Sequence, residues 1–414
     1  MAASLTASMA LADWTQQWLK ALPVADGRLA AVQQRGREAL AELPVPSSRQ
    51  EDWRFTDLGL LAGLDATLAS SPSDAGLPPA APGVLRLVLD GCSDPLAGVV
   101  LPAGLAPLND SELSQALGHT LAATACEHHW PVELNHAAAQ QVLALRVASR
   151  ACISLELVST QAAGLLPLRV LLVLEEKAQL ELCQFAGASG AGLTSLVLEA
   201  HLGRGARLTH GVVALGCNDA ALLAHLAIEQ EPESSATLAT VAAGWGLARF
   251  EPRIRQVDGS ASTTLRGLQV VDHRQVADTH SHISFSGPEG QLDQLHKAVA
   301  AGQGRSVFNG AVRVPRAAQR TNAAQLSRNL LLSDRARIDT KPELEIVADD
   351  VKCAHGATVS SLQTEELFYL QSRGIDADQA AGLLKRAFCE EVLRQLPPPA
   401  RASCPQERLQ LESR

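Results

Sequence analysis

The sequence predicts a mostly β protein with a right-handed parallel β-helix core, flanked by N-terminal and C-terminal helical regions. Strand-like stretches recur through the middle of the 414-residue chain at a nearly regular spacing. Gly, Asp and Ser turns separate these stretches and no helical period lies between them, which is typical of a solenoid. Aromatic residues make up only 3% of the chain, which suits the narrow interior of a β-helix.

The repeat is traced by short steps that begin with alanine, and in most of them an apolar residue follows two positions later. These steps start at Ala151, Ala178, Ala206, Ala236, Ala261, Ala311 and Ala336. Their spacings are 27, 28, 30, 25, 50 and 25 residues, and we interpret the 50 as two repeats of 25. An antiparallel β-sandwich gives strands and turns at similar intervals, so it remains an alternative at this point.

The chain divides into three predicted regions. These are a mainly helical N-terminal region at 1–140 with a linker near 71–83, a β-helix core at 141–361 and a C-terminal helical region at 362–414. Trp14 and Trp18 share one face of the first helix. In the last region, one helix is predicted from Thr364 to a stop at Gly374, and a second is predicted after the capping residue Asp376.

Composition excludes several classes of function. The formal net charge of -9 argues against a nucleic-acid partner, which would require clustered Lys and Arg. The first basic residue is Lys20 and the longest apolar stretch, 162–174, contains Arg169, so we expect neither a signal peptide nor a membrane partner. The eight cysteines form no CxxC pair, as expected of reduced thiols in a cytoplasmic protein.

Several polar clusters are expected to be ordinary surface or loop residues without a functional role. The histidines and aspartates at Asp272, His273, Asp278, His280 and His282 lack a recognised metal motif, so we expect a solvated strand surface there. The pair at 128–129 precedes Trp-Pro and is expected to lie in a loop. The segment 47–55 contains two aromatic residues after a proline, which predicts a loop held by buried aromatics, with a partner-contact surface as the alternative.

Cys353 and His355 are the candidate site. They stand two positions apart in an extended-looking stretch before a helix signal, so both side chains are expected on one face of a strand. A thiolate and an imidazole can share one metal ion, but two ligands leave a tetrahedral ion half open. The alternative is a buried free cysteine beside a hydrogen-bonded histidine.

An enzyme of the β-helix polysaccharide-lyase type is a different hypothesis. It would require carboxylates and basic groups in an exterior groove, and Asp334, Arg335, Arg337 and Asp339 alternate suitably. Such enzymes are usually secreted, and no export signal is evident. A purely structural interaction module is a third hypothesis, which predicts partner binding without dependence on iron.

The stretch 307–391, which includes KCAHGATV at 352–359, resembles the C-terminal half of the SufB/SufD family of iron-sulfur cluster assembly proteins. The segment SRQEDWRFTDL at 48–58 resembles an early signature of the same family. Within the family, the chain length and Gly356 after the histidine are similar to the SufD branch. The match is weakest in 57–140, so residue roles there stay open.

The resemblance implies a non-enzymatic scaffold subunit. It implies pairing with SufB through the end of the β-helix and binding of the ATPase SufC through the C-terminal helices, with a homodimer as an alternative in isolation. His355 would help to acquire iron and build the nascent cluster at the SufB interface, and Cys353 matches a neighbouring family cysteine. Iron or the nascent cluster would be transient and shared with the partner, and a flavin is expected in the whole complex only.

Overall fold

The computed structural model of the chain describes residues 2–69, 76–405 and 409, and the predicted linker therefore lies partly outside the described residues, at 71–75. Its strands form two sheets of nine strands each. The strands are β1 (Leu85–Val88), β2 (Leu105–Pro107), β3 (Leu143–Val147), β4 (Cys152–Gln161), β5 (Gly164–Leu174), β6 (Gln179–Ala188), β7 (Gly192–Leu202), β8 (Arg207–Leu215), β9 (Ala221–Gln230), β10 (Ser235–Ala243), β11 (Leu247–Gln256), β12 (Ser262–Val271), β13 (Val276–Phe285), β14 (Gln291–Ala300), β15 (Arg305–Val314), β16 (Asn322–Leu331), β17 (Arg337–Ile346) and β18 (Lys352–Ser360).

The two sheets build a parallel β-solenoid. From β4 onward the chain alternates between the sheets, so even-numbered strands stack in one sheet and odd-numbered strands in the other. These stacked strands pair in parallel, and only β2 and β3 pair antiparallel within the part of the chain that the structure describes. The predicted β-helix with helices at both ends is therefore confirmed, and the β-sandwich alternative is wrong.

The predicted 25-residue spacing in the later turns is also wrong. The even strands β12, β14, β16 and β18 begin at residues 262, 291, 322 and 352, so these turns are 29 to 31 residues long. Ala311 lies within β15 and Ala336 directly precedes β17, both in the odd sheet. Small residues are needed in both sheets. The spacing of alanines therefore combined positions from the two sheets, on opposite sides of the solenoid, into one repeat.

The helices lie outside the solenoid. They are α1 (Ala2–Ala21), α2 (Ala30–Glu42), α3 (Asp110–Ala116), α4 (His119–Ala123), α5 (Trp130–Ala138), α6 (Thr364–Ser372), α7 (Ala377–Leu393) and α8 (Pro398–Ala402). Helix α5 packs on β5, β7 and β9 of the odd sheet, whereas α7 packs on β10 and β12, and α8 on β6 and β8, of the even sheet. The two terminal regions thus cover opposite outer faces of the early and middle turns.

Local sequence explains where these helices begin and end. Gly118 adopts φ +83° between α3 and α4, a backbone conformation that glycine tolerates at little cost, so the chain turns there. Pro131 lies in the first turn of α5, where its missing N–H costs no hydrogen bond. The pair at 128–129 lies in the turn before this helix, which confirms the predicted loop. The Asp376 side chain accepts a hydrogen bond from the Gln379 backbone at 3.0 Å and caps α7 as predicted.

The N-terminal segment is anchored by buried tryptophans. Trp14, Trp18 and Trp53 belong to one core cluster with α5 and the odd sheet. The burial of Trp53 agrees with the predicted loop held by aromatics at 47–55, whereas Phe55 is only partly buried. The guanidinium of Arg249 lies 3.8 Å from the centre of the Trp53 ring. No helix in the described ranges combines the length and apolar character that crossing a bilayer requires.

Candidate functional site

Cys353 and His355 lie on β18, at one end of the solenoid. Cys353 pairs in register with Ala323, is partly buried and packs against the solenoid core, while His355 is exposed and pairs in register with Gln325. Because side chains alternate along a strand, both groups stand on the inward-facing side of the last turn. The structure therefore places the two predicted site residues on the same side of one strand, and neither is fully buried in the core.

A column of inward-facing side chains runs beneath His355. In the earlier turns this column is mainly apolar, with Leu182, Leu238 and Leu265, and His210 lies between the first two. In the last turns it becomes Gln294, then Gln325, and ends at His355. This column thus changes from mainly apolar to polar as it approaches the open end.

Buried hydrogen bonds fix the two glutamines of this column. Gln325 Nε2 donates to Gln294 Oε1 at 2.9 Å, and Gln294 Nε2 donates across the interior to Ser281 Oγ of the odd sheet at 2.8 Å. The Oε1 atom of Gln325 has no hydrogen-bond partner among the described residues. His355 is the register partner of Gln325 on β18, so the two residues are neighbours in this column.

Cys353 and His355 carry a thiol and an imidazole, two groups of the kind that bind transition metals in proteins. Burial raises the pKa of the Cys353 thiol, so the sulfur is protonated near neutral pH and must lose its proton to bind a metal. Within the described ranges, no third His, Cys, Asp or Glu ligand atom converges with these two. Two ligands from one chain leave about two positions of a tetrahedral ion to be filled from elsewhere.

The end of the solenoid beside this pair is uncovered. β17 and β18 are the last strands of their sheets, and in the described part of the chain no further strand pairs with their outer edges. Ile346, Val347 and Val359 remain 40%, 50% and 45% exposed there. Unpaired edges with exposed apolar side chains are typical of surfaces that accept another chain.

The C-terminal helices carry a second exposed apolar surface. Phe368 and Tyr369 on α6 are 70% and 58% exposed, and Leu383 on α7 is 41% exposed. The opposite side of α7 is fixed to the solenoid, because Lys297 Nζ donates to the Phe388 carbonyl at 2.7 Å and pairs with Glu391 at 2.6 Å. The helical tail is thus attached to the even sheet while α6 presents apolar groups outward.

The predicted solvated histidine surface is wrong at two positions. Asp278 and His280 are buried, because the N-terminal segment covers the outer face of the odd sheet there. The Thr56 hydroxyl and Arg249 both donate hydrogen bonds to the Asp278 carboxylate, at the centre of this contact. His273 does lie exposed in a turn, as expected.

The residues of the lyase hypothesis lie in separate places. Asp334 and Arg335 line a concave surface at the turn before β17, whereas Asp339 lines another cavity and pairs with Arg305 at 2.7 Å. A lyase groove would require these groups to face one substrate-binding surface. The geometry therefore gives this hypothesis no support.

Sequence reasoning missed a second cluster of candidate ligands. His129 at the start of α5, His225 on β9 and Glu251 on β11 bring one ligand atom each within 4.8 Å of one another. His225 and Glu251 are direct register partners on adjacent strands, so the repeat length contained a signal for that pair, but nothing local placed His129 beside them. Burial favours a raised pKa of Glu251, but Arg249 and then His225 outweigh it and hold this pKa well below its ordinary value.

Comparison with known proteins identifies the family of the chain. A family model described as the SufBD core domain of SUF system FeS cluster assembly matches residues 157–388. An iron-sulfur cluster assembly SufBD family protein of Synechocystis sp. is 33% identical over 90% of this chain and 88% of its own length. The chain therefore belongs to the SufBD family of the SUF system for iron-sulfur cluster assembly, as the resemblance predicted.

Other relatives match shorter parts of the chain. The chloroplastic protein ABCI7 of Arabidopsis thaliana is 38% identical over 55% of this chain and 49% of its own length. The iron-sulfur cluster assembly protein SufD of Escherichia coli is 39% identical over 34% of each chain.

Proposed function

We propose that this chain is a SufD-type scaffold subunit, without enzymatic activity of its own, that acts in the cytoplasm with SufB and SufC. The observation that carries the proposal is the uncovered last turn, where Cys353 and His355 project together beside two unpaired strand edges. The 39% identity to a protein named SufD and the glycine at Gly356 support the SufD branch.

SufB docks on this open end in the proposed assembly. Its chain would extend the solenoid at β17 and β18 and cover the exposed Ile346, Val347 and Val359. Iron is bound transiently as material for the nascent cluster. His355 and Cys353 bind it jointly with ligands from SufB, because two groups cannot complete the coordination shell of a metal ion alone. The site is shared and opens when the interface moves, which suits a cluster that must be released.

SufC binds the helical tail in the same proposal. Phe368, Tyr369 and Leu383 supply the apolar contact, and the anchoring of α7 to the even sheet gives SufC a rigid attachment to the solenoid. A conformational change in the ATPase would then shift the interface between the two scaffold subunits. Without SufB the open end of the solenoid pairs with a second copy of this chain. A flavin binds only to the complete complex of the three proteins.

The scaffold role is tested by co-expressing the chain with SufB and SufC and measuring iron and sulfide in the purified complex. We expect His355→Ala to remove most of the iron and sulfide while the three proteins still purify together. His119→Ala is the matched control, because His119 is also an exposed histidine, on α4 and far from the last turn in the chain. Full iron and sulfide content in His355→Ala would reject the role of this residue.

The two docking surfaces are tested separately. Val359→Lys places a charge at the end of β18 and is expected to release SufB, whereas Phe368→Glu on α6 is expected to release SufC. Val100→Glu is the matched control, because Val100 is 91% exposed on a loop outside both surfaces. Retention of both partners by both variants would contradict the proposed assembly.

A further inference from the structure

We propose that His129, His225 and Glu251 form a second metal site, which binds a divalent first-row transition metal ion such as Zn²⁺. It lies on the outer face of the odd sheet, under the start of α5, and is separate from Cys353 and His355 at the open end. Two imidazoles and one carboxylate are a ligand set that suits zinc and related ions. The proposal does not depend on the scaffold function.

Two of the three distances between the ligand atoms match a tetrahedral site, and the third is within 4.8 Å. His225 Nε2 lies 3.2 Å and His129 Nδ1 lies 3.4 Å from the same oxygen of Glu251, Oε2. Two ligand atoms about 2.1 Å from a tetrahedral ion stand about 3.4 Å apart. The solenoid fixes two of the ligands directly, since His225 and Glu251 are register partners on β9 and β11.

His225 is a buried imidazole without the hydrogen bonds that burial normally requires. It is 1% exposed, and neither of its ring nitrogens has a hydrogen-bond partner in the described part of the chain. Its Nε2 is close to Glu251 but is not aligned for a hydrogen bond. An unsatisfied buried polar group destabilises the folded chain, and a metal ion bound at Nε2 would remove part of that cost.

The site has access to solvent on one side. His129 and Glu251 line a cavity of about 380 Å³ that also contacts Trp53 and Pro131. The His129 side chain is 28% exposed, so an ion can enter from this cavity. Three protein ligands and an open side leave one position for water, as in zinc sites that retain an exchangeable ligand.

Arg253 is the competitor of the metal. Arg249 Nε pairs with Glu251 Oε1 at 2.7 Å and leaves Oε2 free of that contact, while Arg253 Nη2 lies 3.2 Å from Oε2. A metal at Oε2 must displace Arg253, because two cations cannot share that oxygen at close range. Removal of this guanidinium is therefore expected to strengthen metal binding.

The proposal is tested by titrating the purified full-length chain with Co²⁺, whose visible spectrum reports tetrahedral coordination, and by metal analysis after dialysis against Zn²⁺. We expect one equivalent with nitrogen and oxygen ligands, and His129→Ala to weaken it by about tenfold or more. This variant removes no helix cap, since the His129 side chain makes no capping hydrogen bond. His128→Ala is the matched control, because His128 is the adjacent histidine in the same cavity.

Two further variants separate loss of the site from loss of the fold. Glu251→Gln should abolish the equivalent, with folding checked by circular dichroism, and Arg253→Met should bind Co²⁺ more tightly than the unmodified chain. A sulfur-to-cobalt charge-transfer band from the bound equivalent would mark an ion held by cysteines and would also overturn the proposal. Equal binding by His129→Ala and His128→Ala, or weaker binding by Arg253→Met, overturns the proposal.

Discussion

The Nη1 atom of Arg249 lies 2.6 Å from Oδ2 of Asp278, one solenoid turn away, and both side chains are shielded from solvent. The same guanidinium pairs with Glu251 at 2.7 Å and covers the face of Trp53. Its Nη1 also donates to the Asp52 carbonyl at 2.9 Å. One buried cation therefore joins two turns of the odd sheet to the N-terminal segment.

Replacing Arg249 with Met is expected to destabilise the fold strongly. It leaves Glu251 and Asp278 as buried carboxylates without their main cation, and breaking a buried pair in this way costs about 3–5 kcal/mol. Urea unfolding of the purified chain measures the change in the free energy of unfolding. Arg204→Met is the matched control, because Arg204 and Glu233 form an exposed pair for which about 0–1 kcal/mol is expected. Equal losses in the two variants would contradict the assigned role of Arg249.

Acid is expected to weaken the fold through the solenoid interior. Burial lowers the pKa of His210 to about 3, from an ordinary value of 6.5, so this imidazole is neutral in the folded chain. Below pH 6.5 the unfolded chain takes up a proton that the folded chain does not. This histidine therefore contributes stability that is complete above pH 6.5 and is lost progressively as the pH falls toward 3.

The substitution His210→Leu tests this origin of the pH dependence. Its neighbours in the interior column are Leu182 and Leu238, so leucine suits the position, although Gln184 loses its contact with the His210 ring. Between pH 6 and 4 the slope of the unfolding free energy should fall by about 1.4 kcal/mol per pH unit. Urea unfolding at pH 8, where the imidazole is neutral in both states, gives the cost of the substitution alone. An unchanged slope would contradict the prediction.

The glutamine pair beneath His355 should behave as a coupled unit. Gln294→Leu leaves the Nε2 of Gln325 without its partner and is expected to cost about 1–3 kcal/mol. The double substitution Gln294→Leu with Gln325→Leu continues the apolar column of the earlier turns and should cost less than the sum of the single changes. A complete double-mutant cycle measured by urea unfolding checks this, and additive effects would show that the amides act independently.

The stacked turns leave no space for a side chain at Gly259. This glycine adopts φ +83°, and a Cβ there would lie 2.0 Å from the carbonyl oxygen of Pro288 in the next turn. Gly98→Ala is the matched control, since Gly98 has φ +72° with nothing within 4 Å, and about 1–2 kcal/mol of backbone strain is expected. Gly259→Ala should cost about 1–3 kcal/mol more because of the clash. Thermal unfolding of the two variants measures the difference, and equal melting temperatures would contradict it.

Features of the fold that depend on the local periodicity of the sequence were predictable, whereas features that depend on contacts between distant residues were not. Strand alternation was sufficient to place Cys353 and His355 on one face, and the repeat was sufficient to predict a solenoid. The burial of Asp278 was not predictable, because it depends on Thr56, which is 222 positions away in the chain. For the same reason the convergence of His129 with Glu251 was not predictable, although the loop that contains His129 was predicted correctly.

The last turn of the solenoid has a stacked neighbour on one side only. In such arrays the free energy of unfolding is close to a sum of terms for contacts between adjacent turns. The helices α5, α7 and α8 pack on earlier strands. Amide hydrogens of β17 and β18 should therefore exchange with solvent first. Local unfolding should begin at these two strands and proceed toward the earlier turns. A docked subunit would supply the missing neighbour, so deuterium uptake at these two strands is a direct indicator of whether the chain is free or assembled.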